Sequence, residues 1–151
     1  MYAKLGVYTC EPLVENKVEV YSLLADNVYS KDKQLTDLDI RKLKKLIKVA
    51  DVLVVRDGDT IVGTCVFRFV YNYIDLIHMY VLEDYRYTDA TRILIYYLLK
   101  VYALGKKVLI TTFDARTFKS AIEPYGTGYI IKPKVLAVAE KLIGNKVIWS
   151  S

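Results

Sequence analysis

The sequence predicts an α/β (α+β) protein built on one mixed β-sheet, with helices on both faces. Two apolar runs flank an Asp-Gly turn at residues 56–59, and a third follows at 73–82, which predicts an antiparallel meander. A helical run then leads to a strand at 108–112, which completes a β-α-β crossover whose two strands run parallel. A chain of 151 residues suits one domain, so we expect a single domain over 1–151.

The N-terminal third is predicted to contain one strand and two helices. Residues 3–9 alternate as a strand does, and 11–29 carry apolar residues at helical spacing. Thr36 precedes a second helix, and Asp39 completes a capping box. In that helix an apolar stripe opposes a basic face that we expect to be solvated. The stripe is Ile40, Leu43, Leu46 and Ile47, and the basic face is Arg41, Lys42, Lys44, Lys45 and Lys48.

The other predicted elements follow from apolar runs and the residues that interrupt them. Thr88 or Asp89 caps a helix that runs to Leu104 and is stopped by Gly105. In chain order we expect strands at 51–55, 60–71 and 73–82, this helix, a strand at 108–112, a helix at 134–143 and a strand at 146–149.

Composition and charge restrict the environment and the partners. The net charge of +5 is uneven: residues 31–48 hold seven Lys/Arg against three Asp, and 105–151 hold eight against three Asp/Glu. No recognised nucleic-acid motif accompanies these cations, so we do not expect nucleic acid as a partner. Cys10 and Cys65 lie in apolar runs without metal-ligand spacing, which predicts buried thiols and no metal. With no signal peptide and no run long enough to span a bilayer, we expect a cytoplasmic protein and no membrane partner.

Two elements are predicted to need cover from outside the chain. The helix at 93–104 is apolar nearly all round, and the strand at 146–149 is short and terminal. Apolar surface and strand edges are normally covered, so we expect a homo-oligomer or a protein partner.

The element order, together with three stretches, resembles the GNAT acetyltransferase superfamily. The stretches are VVRDGDTIVGTCVF (54–67), IDLIHMYVLEDYR (74–86) and YRYTDATRILIYYLLKVYALGKKVLITT (85–112). The resemblance covers residues 51–112 well and the whole chain loosely. It implies a GNAT-like fold and transfer of an acetyl group from acetyl-CoA to an amine.

The resemblance also implies a cofactor site, in a degenerate form. The family's pyrophosphate turn follows Gln/Arg-x-x-Gly-x-Gly/Ala; here Arg86 fills the first position, but Asp89 and Thr91 replace the glycines. Glycine lets a ligand approach the backbone, so both side chains, and the charge of Asp89, should weaken binding. Alternatively, Asp89 simply caps the helix. The implied pyrophosphate site is Arg86, Tyr87, Thr88, Asp89, Ala90, Thr91 and Arg92, and the main chain near Tyr80 and Val81 would bind the pantetheine arm.

The implied catalytic residues lie on the fourth strand of the family fold and near the C-terminus. Asp75 stands where a carboxylate base is often found, and His78, the only histidine, is three residues on. For the acid two registers remain open. One places Tyr125 near the acid position. The other, slightly favoured, makes residues 135–142 the matching helix, puts Ala139 at the position and leaves 113–133 as an inserted loop.

Two functions therefore compete. The first is a divergent acetyl-CoA-dependent N-acetyltransferase acting on an amine-bearing substrate. The second is a catalytically inactive GNAT-fold protein used for interaction or assembly, for example a phage particle component located in the virion. The lost glycines favour the second, and the intact strand-turn-helix pattern favours the first.

Overall fold

The computed structural model describes residues 1–29, 37–110, 130–131 and 134–151. Within these ranges the strands are β1 (Tyr2–Leu5), β2 (Tyr8–Pro12), β3 (Asp51–Asp57), β4 (Thr60–Val70), β5 (Tyr73–Val81), β6 (Lys107–Ile110), β7 (Ile130–Ile131) and β8 (Ile148–Ser150). The helices are α1 (Val18–Leu24), α2 (Asp37–Val49), α3 (Asp89–Tyr97) and α4 (Val135–Ile143). Wider π-helical turns extend α1 over Ala25–Tyr29 and α3 over Leu98–Ala103. No helix in these ranges is long and apolar enough to cross a bilayer.

The described strands form one mixed sheet in the order β7-β6-β5-β4-β3-β2-β1-β8. The meander β3-β4-β5 is antiparallel, and β5 and β6 run parallel on either side of the α3 crossover, which confirms both predictions. The meander begins with a two-residue turn in which Gly58 has a φ of +61°, a conformation that glycine adopts at little cost. The local turn residue therefore sets the register of the meander.

The N-terminus differs from the predicted single strand at 3–9. It forms a hairpin, β1-β2, because Gly6 has a φ of +60° and reverses the chain. Alternation of side chains continues on both sides of this turn, so periodicity alone did not reveal it. The strand β2 continues to Pro12, and α1 therefore begins at Val18 and not near residue 11.

The sheet separates two apolar cores. On one face α3 and α4 pack against residues such as Cys10, Phe67, Leu76 and Met79. On the other face α1 and α2 cover a smaller core that includes Val20, Leu24, Leu43, Ile47, Val54, Val66 and Tyr80. The helices thus lie on both faces, as predicted, and both cysteines are buried thiols.

The amphipathic character of α2 is confirmed where its side chains are described. Leu43 and Ile47 are buried, whereas Arg41, Lys42, Lys44, Lys45 and Lys48 are exposed. The expected capping residue Thr36 lies outside the described residues. The basic face of α2 is therefore presented to solvent.

The two ends of the chain meet at the β1 edge of the sheet. Strand β8 pairs with β1, with Ala3 opposite Trp149. The Tyr97 hydroxyl donates to the Met1 carbonyl oxygen at 2.9 Å, and the Tyr97 and Trp149 ring centroids are 5.4 Å apart. Residues 93–99 of α3 are buried by their own chain. Burial of residues 93–99 by the same chain removes one reason to expect a partner, whereas β8 is an edge strand of the described sheet; a homo-oligomer or protein partner stays a prediction.

We expect Trp149→Ala to lower the free energy of unfolding by about 2 kcal/mol, because it removes a half-buried ring that packs on Tyr96 and Tyr97. Ile148→Ala is the matched control: Ile148 lies next to it on β8 and is 66% exposed. The control should change stability by less than about 0.5 kcal/mol. Urea unfolding of both variants measures the difference, and equal effects would contradict a closing role for Trp149.

Candidate functional site

Strand β5 contains a β-bulge at Ile77. In the ladder with β4, His78 lies opposite Val66, but Leu76 lies opposite Phe67. Ile77 therefore has no counterpart on β4. A bulge of this kind bends the strand and shifts the alternation of its side chains by one residue.

The bulge places Asp75 and His78 on the same face of the sheet. In a regular strand, side chains three residues apart point to opposite faces. Here Leu76 and Met79, also three apart, both join the core beneath α3 and α4. Tyr80 joins the core beneath α1 and α2, so Asp75, His78 and Tyr80 face that side. The two residues predicted as candidate bases are thus brought to one surface.

The Asp75 carboxylate is held by a cross-strand ion pair. Arg68 lies opposite it on β4, and the Arg68 Nε donates to Asp75 Oδ2 at 3.1 Å. Sequence analysis missed Arg68, although the hairpin register contains it: with Val70 opposite Tyr73, Arg68 must lie opposite Asp75. Because the Arg68 side chain is largely exposed, the pair orients the carboxylate more than it stabilises the fold.

His78 is buried in the sheet. Burial lowers the pKa of its imidazole from 6.5 to about 4, since the charged form loses its hydration. The ring is therefore neutral near pH 7 and can accept a proton. A neutral imidazole and a carboxylate on one face of a strand are groups that can take part in proton transfer.

The strand leads directly into the turn that precedes α3. A short 3₁₀ turn, Glu83–Tyr85, follows Leu82, whose N–H donates to the Val62 carbonyl oxygen at 2.8 Å. The Tyr85 hydroxyl donates to Asp57 Oδ2 at 3.0 Å, which fastens the turn to the end of β3. Sequence analysis did not identify this contact, which joins residues far apart in the chain.

Arg86 is buried inside the turn that precedes α3. Arg86 is only 4% exposed, and its Nε donates to the Val81 carbonyl oxygen at 3.0 Å. Its guanidinium carbon lies 5.2 Å from the centre of the Tyr80 ring. This side chain therefore ties the turn to the end of β5, and a role for Arg86 in holding a pyrophosphate stays a prediction.

Two threonines organise the turn, and one of them, Thr91, stands at a glycine position of the family pattern. Thr88, not Asp89, is the N-cap of α3: its Oγ accepts from the Ala90 N–H at 3.2 Å. The Thr91 hydroxyl donates to the Arg86 carbonyl oxygen at 2.6 Å, and Thr91 is 1% exposed. The position of Thr91 differs from the expectation, because its side chain lies within the turn and not in front of an approaching ligand.

Beside the start of α3, the turn presents Tyr87, which is exposed, and Asp89 and Arg92, which are half-buried; Glu83 and Asp84 are exposed in the 3₁₀ turn before it. Arg92 Nη1 and Asp89 Oδ1 are 3.0 Å apart, and the Asp89 side chain is 46% exposed. The first N–H groups of a helix have no intrahelical acceptor, and the helix dipole favours an anion there. At this surface, backbone N–H groups and the Arg92 guanidinium would attract an anion, whereas the Asp89 carboxylate would repel it.

Of the two C-terminal candidates for the acid position, only Ala139 belongs to the described residues. Tyr125 lies outside the described residues. Ala139 is buried in α4, which packs against α3, and its methyl group cannot donate a proton. Ile130–Ile131 form β7 beside β6, so the expected loop at 113–133 is corrected there. In the described ranges no group of three His, Cys, Asp or Glu side chains could hold a metal ion.

The pKa of His78 predicts a pH dependence of stability. The unfolded chain binds a proton near pH 6.5 and the folded chain only near 4, so stability falls as the pH drops through this window. The loss approaches about 3 kcal/mol at the lower end. Because His78 is the only histidine, His78→Gln should flatten the curve between pH 6.5 and 5, before carboxylates titrate. Urea unfolding across this range is the measurement, and an unchanged slope would contradict the assignment.

Comparison with solved structures places this geometry in a known fold. An aminoglycoside acetyltransferase from an uncultured soil metagenomic sample, in complex with sisomicin, matches with a TM-score of 0.59 and 16% identity, over 81% of this chain and 91% of that one. The same enzyme in complex with trehalose matches with a TM-score of 0.58 and 17% identity, over the same shares. No family model and no curated protein matches the sequence.

A third solved structure is similar over a shorter length. It is the ribosomal-protein-alanine N-acetyltransferase from Brucella melitensis biovar Abortus 2308, with a TM-score of 0.47 and 21% identity. The match covers 58% of this chain and 66% of that protein, just under two thirds of its length. At the level that the first two matches support, the chain has a GNAT-like acetyltransferase fold in a divergent form.

Proposed function

We propose that the protein is an N-acetyltransferase that moves an acetyl group from acetyl-CoA to an amine. The observation that carries this proposal is the bulge at Ile77, which places Asp75 and His78 on one face of β5. The same strand continues into the N-terminal turn of α3, where an anion can bind. A proton acceptor and an anion site thus belong to one strand-turn-helix unit.

The turn would hold the cofactor through its backbone. The diphosphate would lie against the N–H group of Asp89 at the start of α3, with the Arg92 guanidinium beside it. Arg86, Thr88 and the Thr91 hydroxyl would keep the turn in shape from within. The remaining turn residues, Tyr87 and Ala90, would border the ligand, and the main chain at Tyr80 and Val81 would face the pantetheine arm.

The reaction requires few groups from the protein. The amine nitrogen attacks the thioester carbonyl carbon and forms the amide bond as the carbon–sulfur bond breaks. The amine proton passes to the neutral His78 imidazole, with Asp75 as the neighbouring carboxylate, and the thiolate of CoA is finally protonated. Tyr125 is the candidate donor for that last step.

The acceptor is proposed as an amine-bearing molecule, since the solved neighbour with the higher TM-scores is named for aminoglycosides. We place the reaction in the cytoplasm, where acetyl-CoA is available to the enzyme. The inactive alternative, an interaction or assembly protein, becomes the conclusion if the cofactor does not bind.

Calorimetric titration with acetyl-CoA tests the proposal. We expect saturable binding, and release of CoA thiol when the acetyl-CoA-loaded protein is mixed with amines such as aminoglycosides. His78→Gln should bind acetyl-CoA as the unchanged protein does but lose about 100-fold or more in turnover, because it lacks the base. Absence of heat at millimolar acetyl-CoA would remove the enzyme proposal.

A second prediction distinguishes the effects of Asp89 and Thr91, the two residues at the glycine positions of the family pattern. Asp89→Asn should strengthen acetyl-CoA binding about fivefold, roughly 1 kcal/mol, because it removes a like charge beside the diphosphate and releases Arg92. Thr91→Val should not strengthen binding and should cost about 1–2 kcal/mol of stability, because it deletes buried hydrogen bonds within the turn.

The control for charge is Asp84→Asn, which removes an exposed carboxylate from the 3₁₀ turn before α3. It should change affinity less than Asp89→Asn does. Equal gains from the two variants would mean that only the overall charge matters, and a gain from Thr91→Val would contradict its placement inside the turn.

A further inference from the structure

An open groove lies between α1 and α2, far from the α3 turn. It has a volume of about 490 Å³. Its walls come from the segment after β2, the first half of α1 and the second half of α2. We call it the α1–α2 groove, and its lining is Val14, Asn16, Lys17, Val18, Tyr21, Ser22, Lys44, Ile47 and Lys48.

The groove lies at the opposite end of β3 from the α3 turn. The Leu13 N–H donates to the Val52 carbonyl oxygen at 2.9 Å, which places the segment after β2 at the start of β3. The turn is fastened to Asp57, at the end of the same strand. At about 3.3 Å per residue, Val52 and Asp57 are roughly 17 Å apart along β3. The groove is therefore separate from the α3 turn. His78 lies nearer to it, because His78 is opposite Val66, which is opposite Val52, and it faces the same side of the sheet.

The body of the groove is apolar and open to water. Val14 is 82% exposed and Val18 is 71% exposed, although both line a concavity with Ile47 and the Tyr21 ring. Aliphatic side chains in a concave surface gain free energy when an apolar molecule covers them. The lining thus favours a ligand with a hydrocarbon or aromatic body.

The charge in the groove is all of one sign. Lys44 Nζ lies 5.2 Å from the centre of the Tyr21 ring, and Lys48 is one turn further along α2. No Asp or Glu is among the lining residues, and in the described part of the chain no carboxylate forms an ion pair with Lys44 or Lys48. Glu15 and Glu19 are close in sequence but do not line the groove. An anionic group would therefore be attracted to this wall.

Lys17, the third lysine of the lining, connects the two walls of the groove. Lys17 Nζ donates to the carbonyl oxygens of Ile47 and Ala50, at 3.0 and 3.1 Å. These carbonyls belong to the C-terminal end of α2, where a cation is also favoured by the helix dipole. Lys17 thereby ties the segment before α1 to the end of α2 and holds the two walls together.

We propose that the α1–α2 groove binds a small amphipathic carboxylate, with its apolar body against Val14, Val18 and Ile47 and its carboxylate near Lys44 and Lys48. A nucleic acid fits the arrangement less well, because it would follow the convex row of cations along α2 and leave the apolar concavity empty. The exposed basic face of α2 then serves to attract the anion to the groove.

Titration with decanoate tests the proposal on the full-length chain. Decanoate should bind, decanol should bind about fivefold or more weakly because it lacks the charge, and acetate should not bind measurably because it lacks the body. The double variant Lys44→Gln/Lys48→Gln should weaken decanoate binding by about fivefold to tenfold. The matched control is Lys45→Gln, which removes the same charge from the exposed face of α2 but does not line the groove.

The outcomes separate the alternatives. Weakened decanoate binding in the double variant, with Lys45→Gln near the unchanged protein, supports the proposal. Equal binding of decanol and decanoate, or equal loss from Lys45→Gln, overturns it, and the second result would point to a general polyanion surface. Val18→Asp, at an exposed position, should also abolish binding; retained binding in this variant would overturn the placement of the ligand. Acetyl-CoA titration of the same variants should be unchanged, which keeps the two sites distinguishable.

Discussion

The bulge at Ile77 determines which side chains of β5 face which core. Before it, Ile74 and Leu76 pack beneath α3, and after it Met79 and Val81 do so. A regular β5, in which Ile77 was paired like its neighbours, would send Met79 and Val81 to the α1 side and His78 beneath α3. Both cores would then contain the wrong side chains, since a one-residue shift exchanges the faces of a whole strand.

Gly63, which lies opposite the end of β5, has no room for a side chain. A Cβ atom on Gly63, opposite Val81, would lie 2.9 Å from Val55 Cγ1 and 3.0 Å from Val81 Cγ2. Gly63 belongs to the stretch at 54–67 that resembles the family, and close packing between β3 and β5 explains why a glycine stands there. The turn that follows is equally crowded inside, where Arg86 and Thr91 use their polar groups on main-chain oxygens. Thr91, which stands at a glycine position of the family pattern, thus helps to maintain the shape of the turn with its side chain.

Local signals in the sequence predicted most of the sheet, and contacts between distant residues explain the rest. The Asp-Gly turn and the helical run after it specified the meander and the crossover, because both depend on neighbouring residues. The closure of β8 on β1 joins the two ends of the chain, and no local pattern indicates it. The bulge was also unpredictable, since the apolar residues around Ile77 fit either face. In the site, Arg68 could have been found by counting from the hairpin, whereas the inward direction of Thr91 depends on the fold of the turn.

Burial of His78 bears on whether so weak a base can serve acetyl transfer. An imidazole whose pKa is about 4 removes protons poorly from a free ammonium ion. The proton that must leave, however, belongs to an amine that has already attacked the thioester, and that nitrogen is far more acidic. The environment that keeps His78 neutral also disfavours a charged ammonium, so an acceptor bound beside it would more readily lose its own proton. Desolvation therefore acts in the same direction on both partners, and a low pKa at His78 is compatible with the proposed reaction.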